Sequence, residues 1–313
     1  MTAKHILITT SSFDVESNEA LAKIIAEGIK IKLNPYGRRL SEIEAVELLA
    51  EPGLIGMIAG VEPINQSALS GAPKLKVISR CGIGMDNIDR GSAEAFGILL
   101  CNTPNAPSIA VAELVIGLIL NLLRKISLAD RTIRSHAWKQ HMGNLLAKKT
   151  VGIIGYGGIG RRVAQLLTAF NARVLAYDTC DVNAEQGVII CDFEQVITQS
   201  DIVTLHVPYT SENHHLINDT ALNKMKQGAI LVNVARGGLV DEKALLAALT
   251  AKQISGAALD CFESEPYSGP LTKLDHVVLT AHMGAYAMES RQIMEIDAAE
   301  NLLQGLRNKG LIA

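Results

Sequence analysis

Cysteine, net charge and long apolar runs are all scarce in this sequence, and each scarcity closes off a class of protein. The five cysteines, Cys81, Cys101, Cys180, Cys191 and Cys261, are scattered and odd in number over 313 residues. With no metal-ligand spacing among them they read as small hydrophobes in a reducing compartment, neither a disulfide frame nor a zinc site, so no metal is expected. A net charge of −3 gives no general reason to expect nucleic acid or an anionic membrane as partner, and a small molecule is the better match. The most apolar helical stretch, 109–123, contains Glu113 and is broken by Gly117 and Asn121, short of the ~18 uninterrupted apolar residues a membrane span needs. A helix apolar on nearly all sides belongs in a core or a subunit interface; an interface, hence a homodimer through 109–123, is the expectation. The opening MTAKHILITTSSF has a short apolar run ending in polar residues, which reads as a first strand and not a signal peptide, so a cytoplasmic location is expected.

What is present is enough apolar material, 48% of residues, for two domains with full cores. Strand patterns at 5–9, 54–59, 75–80 and 98–101 alternate with helical patterns at 18–29, 41–49, near Asn65 and near Ser92, the signature of an α/β layer with a parallel sheet. Asn102-Thr103-Pro104-Asn105-Ala106-Pro107 reads as a hinge, because its two prolines disfavour continued helix or strand. A second run of strands follows at 151–155, 174–177, 202–206, 230–234, 257–260 and 277–281, enough for a doubly wound sheet of about six strands. A last helical pattern covers 285–306.

The stretch from Lys149 to Asp178, KTVGIIGYGGIGRRVAQLLTAFNARVLAYD, reads as a dinucleotide-binding βαβ unit. Gly155 allows the tight turn out of the strand, Gly157 lets backbone approach a pyrophosphate, and Gly160 lets the helix pack closely. Gly158 and Ile159 complete the turn, whose helix N-terminus favours an anion. Asp178 closes the second strand where a carboxylate can accept hydrogen bonds from a ribose 2′-hydroxyl and repel a 2′-phosphate, so NAD is expected over NADP.

Three polar clusters end strands of the second sheet: Asn233-Val234-Ala235-Arg236-Gly237-Gly238, Asp260-Cys261-Phe262-Glu263-Ser264-Glu265-Pro266 and Thr280-Ala281-His282-Met283-Gly284. Singly they have bland readings: a surface salt bridge for Arg236, an exposed acidic loop, a hydrogen-bonded core histidine for His282. Together they match a reaction. Oxidising a secondary alcohol with NAD needs a base for the hydroxyl proton, a cation for a substrate carboxylate and an orienter for the base, and His282, Arg236 and Glu265 are those residue types.

In that order these motifs, with SRCGIGMDNID (79–89) and CNTPNAPSIAVAEL (101–114), resemble the NAD-dependent D-2-hydroxyacid dehydrogenase family, particularly its short D-3-phosphoglycerate dehydrogenase branch without a regulatory domain. The resemblance covers nearly the whole chain. It implies two Rossmann-like or flavodoxin-like parallel-sheet α/β domains with an active-site cleft between them: 1–103 plus 285–313 for substrate and 104–284 for NAD, with closure excluding water. It implies that Arg236 binds the substrate carboxylate and polarises the keto group, Glu265 supports the histidine, and His282 is the acid/base. It also implies that Asp260 contacts the nicotinamide carboxamide and that His206-Val207-Pro208, Ala235 and Gly284 line the cofactor site. Gly60-Val61 and Cys81-Gly82-Ile83-Gly84 would offer backbone N–H groups to the substrate carboxylate, with Arg80 and Asn105 also on the substrate side. Residues 109–123 match the family's dimer-forming helix.

The substrate expected on this resemblance is D-3-phosphoglycerate, oxidised to 3-phosphohydroxypyruvate at the entry to serine synthesis. An unphosphorylated acid such as glycerate, lactate or a branched 2-hydroxy acid is the alternative, because Ala59 stands where many phosphoglycerate dehydrogenases have an arginine. Arg80 and Arg38-Arg39 are the remaining cations for a phosphate, the latter pair reading equally well as a solvated turn. An NAD-sensing corepressor-like binding module, similar to these enzymes and retaining the same three polar residues, is the alternative of another class. Trp138 is assigned packing, and His214 and His215 a solvated loop.

Overall fold

The computed structural model describes residues 3–313. They form two compact units, residues 3–107 with Ala285–Ala313, and Ser108–Gly284.

The first unit runs β1 (His5–Ile8), α1 (Glu19–Ala26), β2 (Lys30–Leu33), α2 (Glu42–Leu49), β3 (Leu54–Ala59), α3 (Gln66–Ser70), β4 (Val77–Arg80), α4 (Arg90–Ala95) and β5 (Leu99–Asn102). The all-parallel sheet has the order β2-β1-β3-β4-β5, that of the flavodoxin-like fold. Apolar cover on both faces explains why the central strands are apolar without alternation: Ile6 and Ile8 point into one cluster with Leu21 and Ile24, and Leu7 into the opposite one with Leu49 and Leu69. Helix starts follow short polar side chains, as with Asn18 accepting from the Ala20 and Leu21 N–H groups and Ser41 forming a capping box with Glu44. The strand missing from the sequence pattern is β2. It sits at the sheet edge with Lys30 and Lys32 in KIKL and three of its four residues exposed, so it carries the charge that guards an edge and lacks an apolar signature.

The second unit runs α5 (Ser108–Arg124), α6 (Ile126–Arg134), β6 (Thr150–Ile154), α7 (Gly158–Ala169), β7 (Arg173–Tyr177), β8 (Val188–Ile190) and α8 (Phe193–Gln199). It continues with β9 (Ile202–Leu205), α9 (Asp219–Lys224), β10 (Ala229–Asn233), α10 (Glu242–Thr250), β11 (Ile254–Leu259) and β12 (Val277–Leu279). The parallel order β12-β11-β10-β9-β6-β7-β8 is the doubly wound dinucleotide-binding order extended by one strand. All six expected strands are present; β8, a three-residue edge strand, is additional.

Helix α5 divides its apolar residues between the core of its own unit and an exposed face. Its stripe of Val111, Val115, Ile119 and Leu123 packs with Val163 and Leu167 of α7 in the core of its own unit, so most of its apolar character is consumed there. Only a narrow face holding Ile109, Glu113 and Gly117 is exposed. Trp138, assigned packing, is 91% exposed, so little of it is covered within the described residues.

Helix α11 (Met288–Asn308) returns the chain to the first unit. Met294, Ala298, Leu302 and Leu306 join the cluster beneath β1, β3 and β4. Gly305 permits this close approach, since a Cβ there would lie 2.6 Å from a Val77 methyl. Among the described residues no helix is long and apolar enough to cross a membrane.

Candidate active site

In the second unit the glycine turn follows β6, beside β9, where the strand order reverses and open α/β sheets bind ligands. Gly155 has φ +97°, and a Cβ there would lie 2.5 Å from the His206 carbonyl oxygen; a Cβ on Gly160 would lie 2.0 Å from the Gly155 oxygen. Backbone conformation and crowding therefore exclude a side chain at both positions. Gly157 differs: no atom lies within 4 Å of a Cβ built there. It is the N-cap of α7 without a side-chain cap, so Gly158, Ile159 and Gly160 present the open N-terminus beside empty space, which fits a pyrophosphate. Asp178 carries more than the sequence implied. Its Oδ2 accepts from the Tyr156 N–H at 2.7 Å and its Oδ1 from the Cys180 N–H at 3.0 Å, so it braces the glycine turn while closing β7.

His206 and Val207 wall this turn, as a Cβ on Gly155 would also touch the Val207 side chain. The His206 Nε2 lies 3.0 Å from the Thr204 hydroxyl, and burial pushes its pKa down to about 3, keeping the ring neutral. The Pro208 carbonyl accepts from Asn213 at 2.7 Å.

The three polar clusters meet at the ends of β10, β11 and β12. Buried Asn233 shapes the first turn, accepting from the Ala235 N–H at 3.0 Å and donating to the Arg236 carbonyl at 2.8 Å. Arg236 donates to the Ala235 carbonyl at 2.7 Å. Gly237 joins this turn to the next: a Cβ there would lie 1.9 Å from the Phe262 carbonyl carbon and 2.3 Å from the Glu263 nitrogen. Only glycine lets the Arg236 turn press against the turn that carries Glu265. Glu265 accepts from the Phe262 N–H at 3.1 Å, and its two oxygens lie 3.1 and 3.0 Å from His282 Nδ1. Nδ1 thus faces the carboxylate, leaving Nε2 as the outward nitrogen of a ring whose side chain is 39% exposed.

His282 has φ +51°, left-handed for a residue with a side chain. Asp260, 0% exposed, holds it there. Oδ1 accepts from the Thr280 hydroxyl at 2.5 Å and the Met283 N–H at 2.9 Å, and Oδ2 from the Gly284 N–H at 2.8 Å. The resemblance implies a nicotinamide contact for Asp260; these bonds also make it a brace for the histidine loop, a role that shows only when both turns are placed.

In the first unit the expected substrate loops follow β3 and β4. Several of their N–H groups are already engaged. Gly60 N–H donates to Thr9 Oγ1 and to Glu62 Oε1, both at 3.1 Å, Cys81 N–H to the Ala59 carbonyl at 2.9 Å, and Gly82 N–H to Thr103 Oγ1 at 2.8 Å. Val61, Ile83 and Gly84 are the loop residues whose N–H groups make no hydrogen bond among the described residues. Two asparagines clamp these loops: Asn87 donates to the Gly60 and Glu62 carbonyls at 3.3 and 2.7 Å, and Asn102 to the Ile83 carbonyl at 2.8 Å. Glu62 is buried and its pKa is raised by that burial. None of these supporting residues stood out in the sequence, because their partners are tens of residues away or backbone atoms.

Arg80 turns back onto its own loop, donating to the Cys81 carbonyl, and is 8% exposed. Arg38 is forked onto Glu44, whose carboxyl it holds down to about 2 by hydrogen bonding, so its solvated-turn reading is the better one. Asn105 is exposed on the turn before α5. The ring of His214 stacks on that of His215, whose Nε2 lies 2.7 Å from Glu263.

Residues 116–284, over half of the chain, match the family described as D-isomer specific 2-hydroxyacid dehydrogenase, NAD binding domain. The chain belongs to this family. NAD is the cofactor of its second unit, and the open glycine turn with Asp178 fits it. Relatives of this dehydrogenase-family chain include the D-3-phosphoglycerate dehydrogenase of Archaeoglobus fulgidus, 39% identical over 90% of this chain and 56% of the relative. The glyoxylate reductase of Thermofilum pendens is 41% identical over 79% of this chain and 77% of its own length. The crystal structure of D-lactate dehydrogenase from Aquifex aeolicus complexed with NAD and lactic acid aligns with a TM-score of 0.83 at 27% identity, covering 98% of this chain and 96% of that one. The chain spans about half the length of the phosphoglycerate dehydrogenases it matches.

Proposed function

We propose that the chain interconverts a 2-hydroxy acid and its 2-keto acid, with D-3-phosphoglycerate and 3-phosphohydroxypyruvate as the pair. The Glu265–His282 contact carries the reading, because it fixes which imidazole nitrogen is available. NAD, when bound, supplies the hydride acceptor. His282 Nε2 takes the hydroxyl proton on oxidation and returns it on reduction, while Glu265 holds Nδ1 and sets the tautomer. Arg236 offers its planar fork to the substrate carboxylate and withdraws charge from the keto oxygen. Asp260 holds the left-handed histidine loop. The N–H groups of Val61, Ile83 and Gly84 are the donors this reading assigns to the substrate carboxylate.

The phosphorylated substrate is supported by the names of the phosphoglycerate dehydrogenase relatives. An unphosphorylated acid is favoured by a specific observation: Arg80 is turned inward, Arg38 is tied to Glu44, and Ala59 carries no charge. Loss of NADH absorbance, with phosphohydroxypyruvate, hydroxypyruvate, glyoxylate and pyruvate in parallel and a His282→Asn control, decides between them. Selective turnover of phosphohydroxypyruvate, lost in the control, supports the first. Turnover of unphosphorylated acids alone supports the second, and silence across the panel refutes both.

The reading includes a homodimer and a cytoplasmic location. The exposed face of α5 and the exposed apolar residues Ile126, Ile133, Trp138, Met142 and Leu145 just after it support the dimer. None of the five cysteines forms a disulfide, in keeping with a reducing compartment. Light scattering after size exclusion tests the dimer, and a monomer at micromolar concentration would remove it.

A further inference from the structure

Cys261 lies beside the acid/base pair, yet the proposed reaction gives it no task. It is 2% exposed, and its sulfur lies 3.4 Å from the Ala235 carbonyl oxygen. Its Sγ, a Glu265 carboxylate oxygen and a His282 ring nitrogen all lie within 4.8 Å of one another. No other trio of His, Cys, Asp or Glu among the described residues gathers in this way. The spacing, Cys and Glu four residues apart with the His seventeen further on, matches no common metal motif, and the sequence alone pointed away from a metal.

We propose that Cys261, Glu265 and His282 form a capture site for a thiophilic divalent cation of the zinc type, and that its occupancy switches the active site off. Tetrahedral zinc binds sulfur at about 2.3 Å and nitrogen or oxygen at about 2.0–2.2 Å, which sets ligand atoms roughly 3.4–3.6 Å apart. The Glu265 oxygens and His282 Nδ1, at 3.0 and 3.1 Å, need to open only slightly, and the sulfur, within 4.8 Å of both groups, has up to about 1.4 Å to close. A thiolate with an imidazole selects zinc, cadmium or cobalt over magnesium or calcium. Three protein ligands leave the fourth position to water.

The chemistry balances without an oxidant. The cation displaces the thiol proton, which goes to solvent, and takes the lone pair of Nδ1. The one remaining imidazole proton then sits on Nε2. That nitrogen has no lone pair to accept the hydroxyl proton, and giving its proton up would leave an imidazolate. Both directions of turnover stop. Binding itself is independent of the proposed function; inhibition rests on that reading.

Cobalt(II) titration of the purified full chain tests the site, since tetrahedral thiolate ligation produces intense visible bands and a sulfur-to-cobalt charge-transfer band in the near ultraviolet. The expected result is a one-to-one titration that zinc competes away, with the charge-transfer band lost in Cys261→Val and in the closer isostere Cys261→Ser. Both variants are checked for parent-like circular dichroism. Zinc should inhibit NADH-linked turnover reversibly with EDTA, and Cys261→Val should need at least about tenfold more zinc. A weak six-coordinate cobalt spectrum, or a charge-transfer band unchanged in both variants, would overturn the site. Cysteine-dependent cobalt binding by a protein silent on every keto acid leaves the site standing and counts against the dehydrogenase reading. Cysteine-dependent binding with uninhibited turnover overturns the switch.

Discussion

Asp260→Asn is the substitution that most directly tests how this site is held. The carboxylate is fully buried and accepts from the Thr280 hydroxyl and the Met283 and Gly284 N–H groups. An amide keeps the shape but converts one acceptor into a donor. The least costly placement turns the new NH2 toward Gly284, orphaning that one buried N–H at about 1–3 kcal/mol. The two remaining bonds lose their charge assistance, roughly half their strength. Relief of a buried charge offsets part of this, so the net loss is about 2–3 kcal/mol. With a urea slope near 3 kcal/mol/M, the midpoint for this unit falls by roughly 0.7–1 M. The variant also releases a loop that keeps His282 at φ +51°, a conformation storing about 1–3 kcal/mol. Relaxation by about an ångström costs on the order of a hundredfold in kcat, with the KM for NAD little changed. Urea unfolding and steady-state kinetics on the same preparation check both parts. An unchanged midpoint with only a raised KM for NAD would refute the bracing argument and return Asp260 to the nicotinamide.

Gly160→Ala should cost about 1–3 kcal/mol and weaken NAD binding, because its Cβ would lie 2.0 Å from the Gly155 oxygen. Gly157→Ala, facing open space, should unfold like the parent yet lose the thermal stabilisation that NAD confers; equal behaviour of the two in a melting assay would contradict the assignment. Asp178→Ala should lower stability by about 1–3 kcal/mol, through the lost Tyr156 and Cys180 contacts, and narrow the preference for NAD over NADP in paired kinetics. His206 has a folded pKa well below its unfolded value, so the unfolded chain binds the extra proton first. Its contribution is complete above about pH 6.5 and is lost progressively as pH falls toward 3, by at most about 1.4 kcal/mol per unit. His206→Gln should therefore flatten the acid side of the stability–pH curve, and an identical curve would show that the ring is solvated.

Local signals along the chain carried much of this protein. Buried parallel strands are continuous apolar runs because both faces are covered, so β1, β3, β4 and the six main strands of the second sheet are visible as pattern. Gly155, Gly160 and Gly237 are glycines for steric reasons, and the motif containing the first two is recognisable because turn, helix and carboxylate follow at short range. The edge strands β2 and β8 were hidden because an edge residue has little to bury. Periodicity alone does not divide the apolar residues of α5 between its own core and an exposed face, because it reports that a face is covered and not what covers it.

Residue types for proton transfer and carboxylate binding were thus determined by sequence, as were the strand ends that carry them. Tertiary structure alone decided their arrangement: that Glu265 takes Nδ1 of His282, that Asp260 braces the loop holding it, that Arg80 faces inward, and that Cys261 lies in a trio with Glu265 and His282. The physical reason is range. Helix, strand and turn preferences act over a few residues, whereas each of these contacts joins turns brought together by the sheet, where a hydrogen bond depends on ångström placement that no one-dimensional pattern encodes.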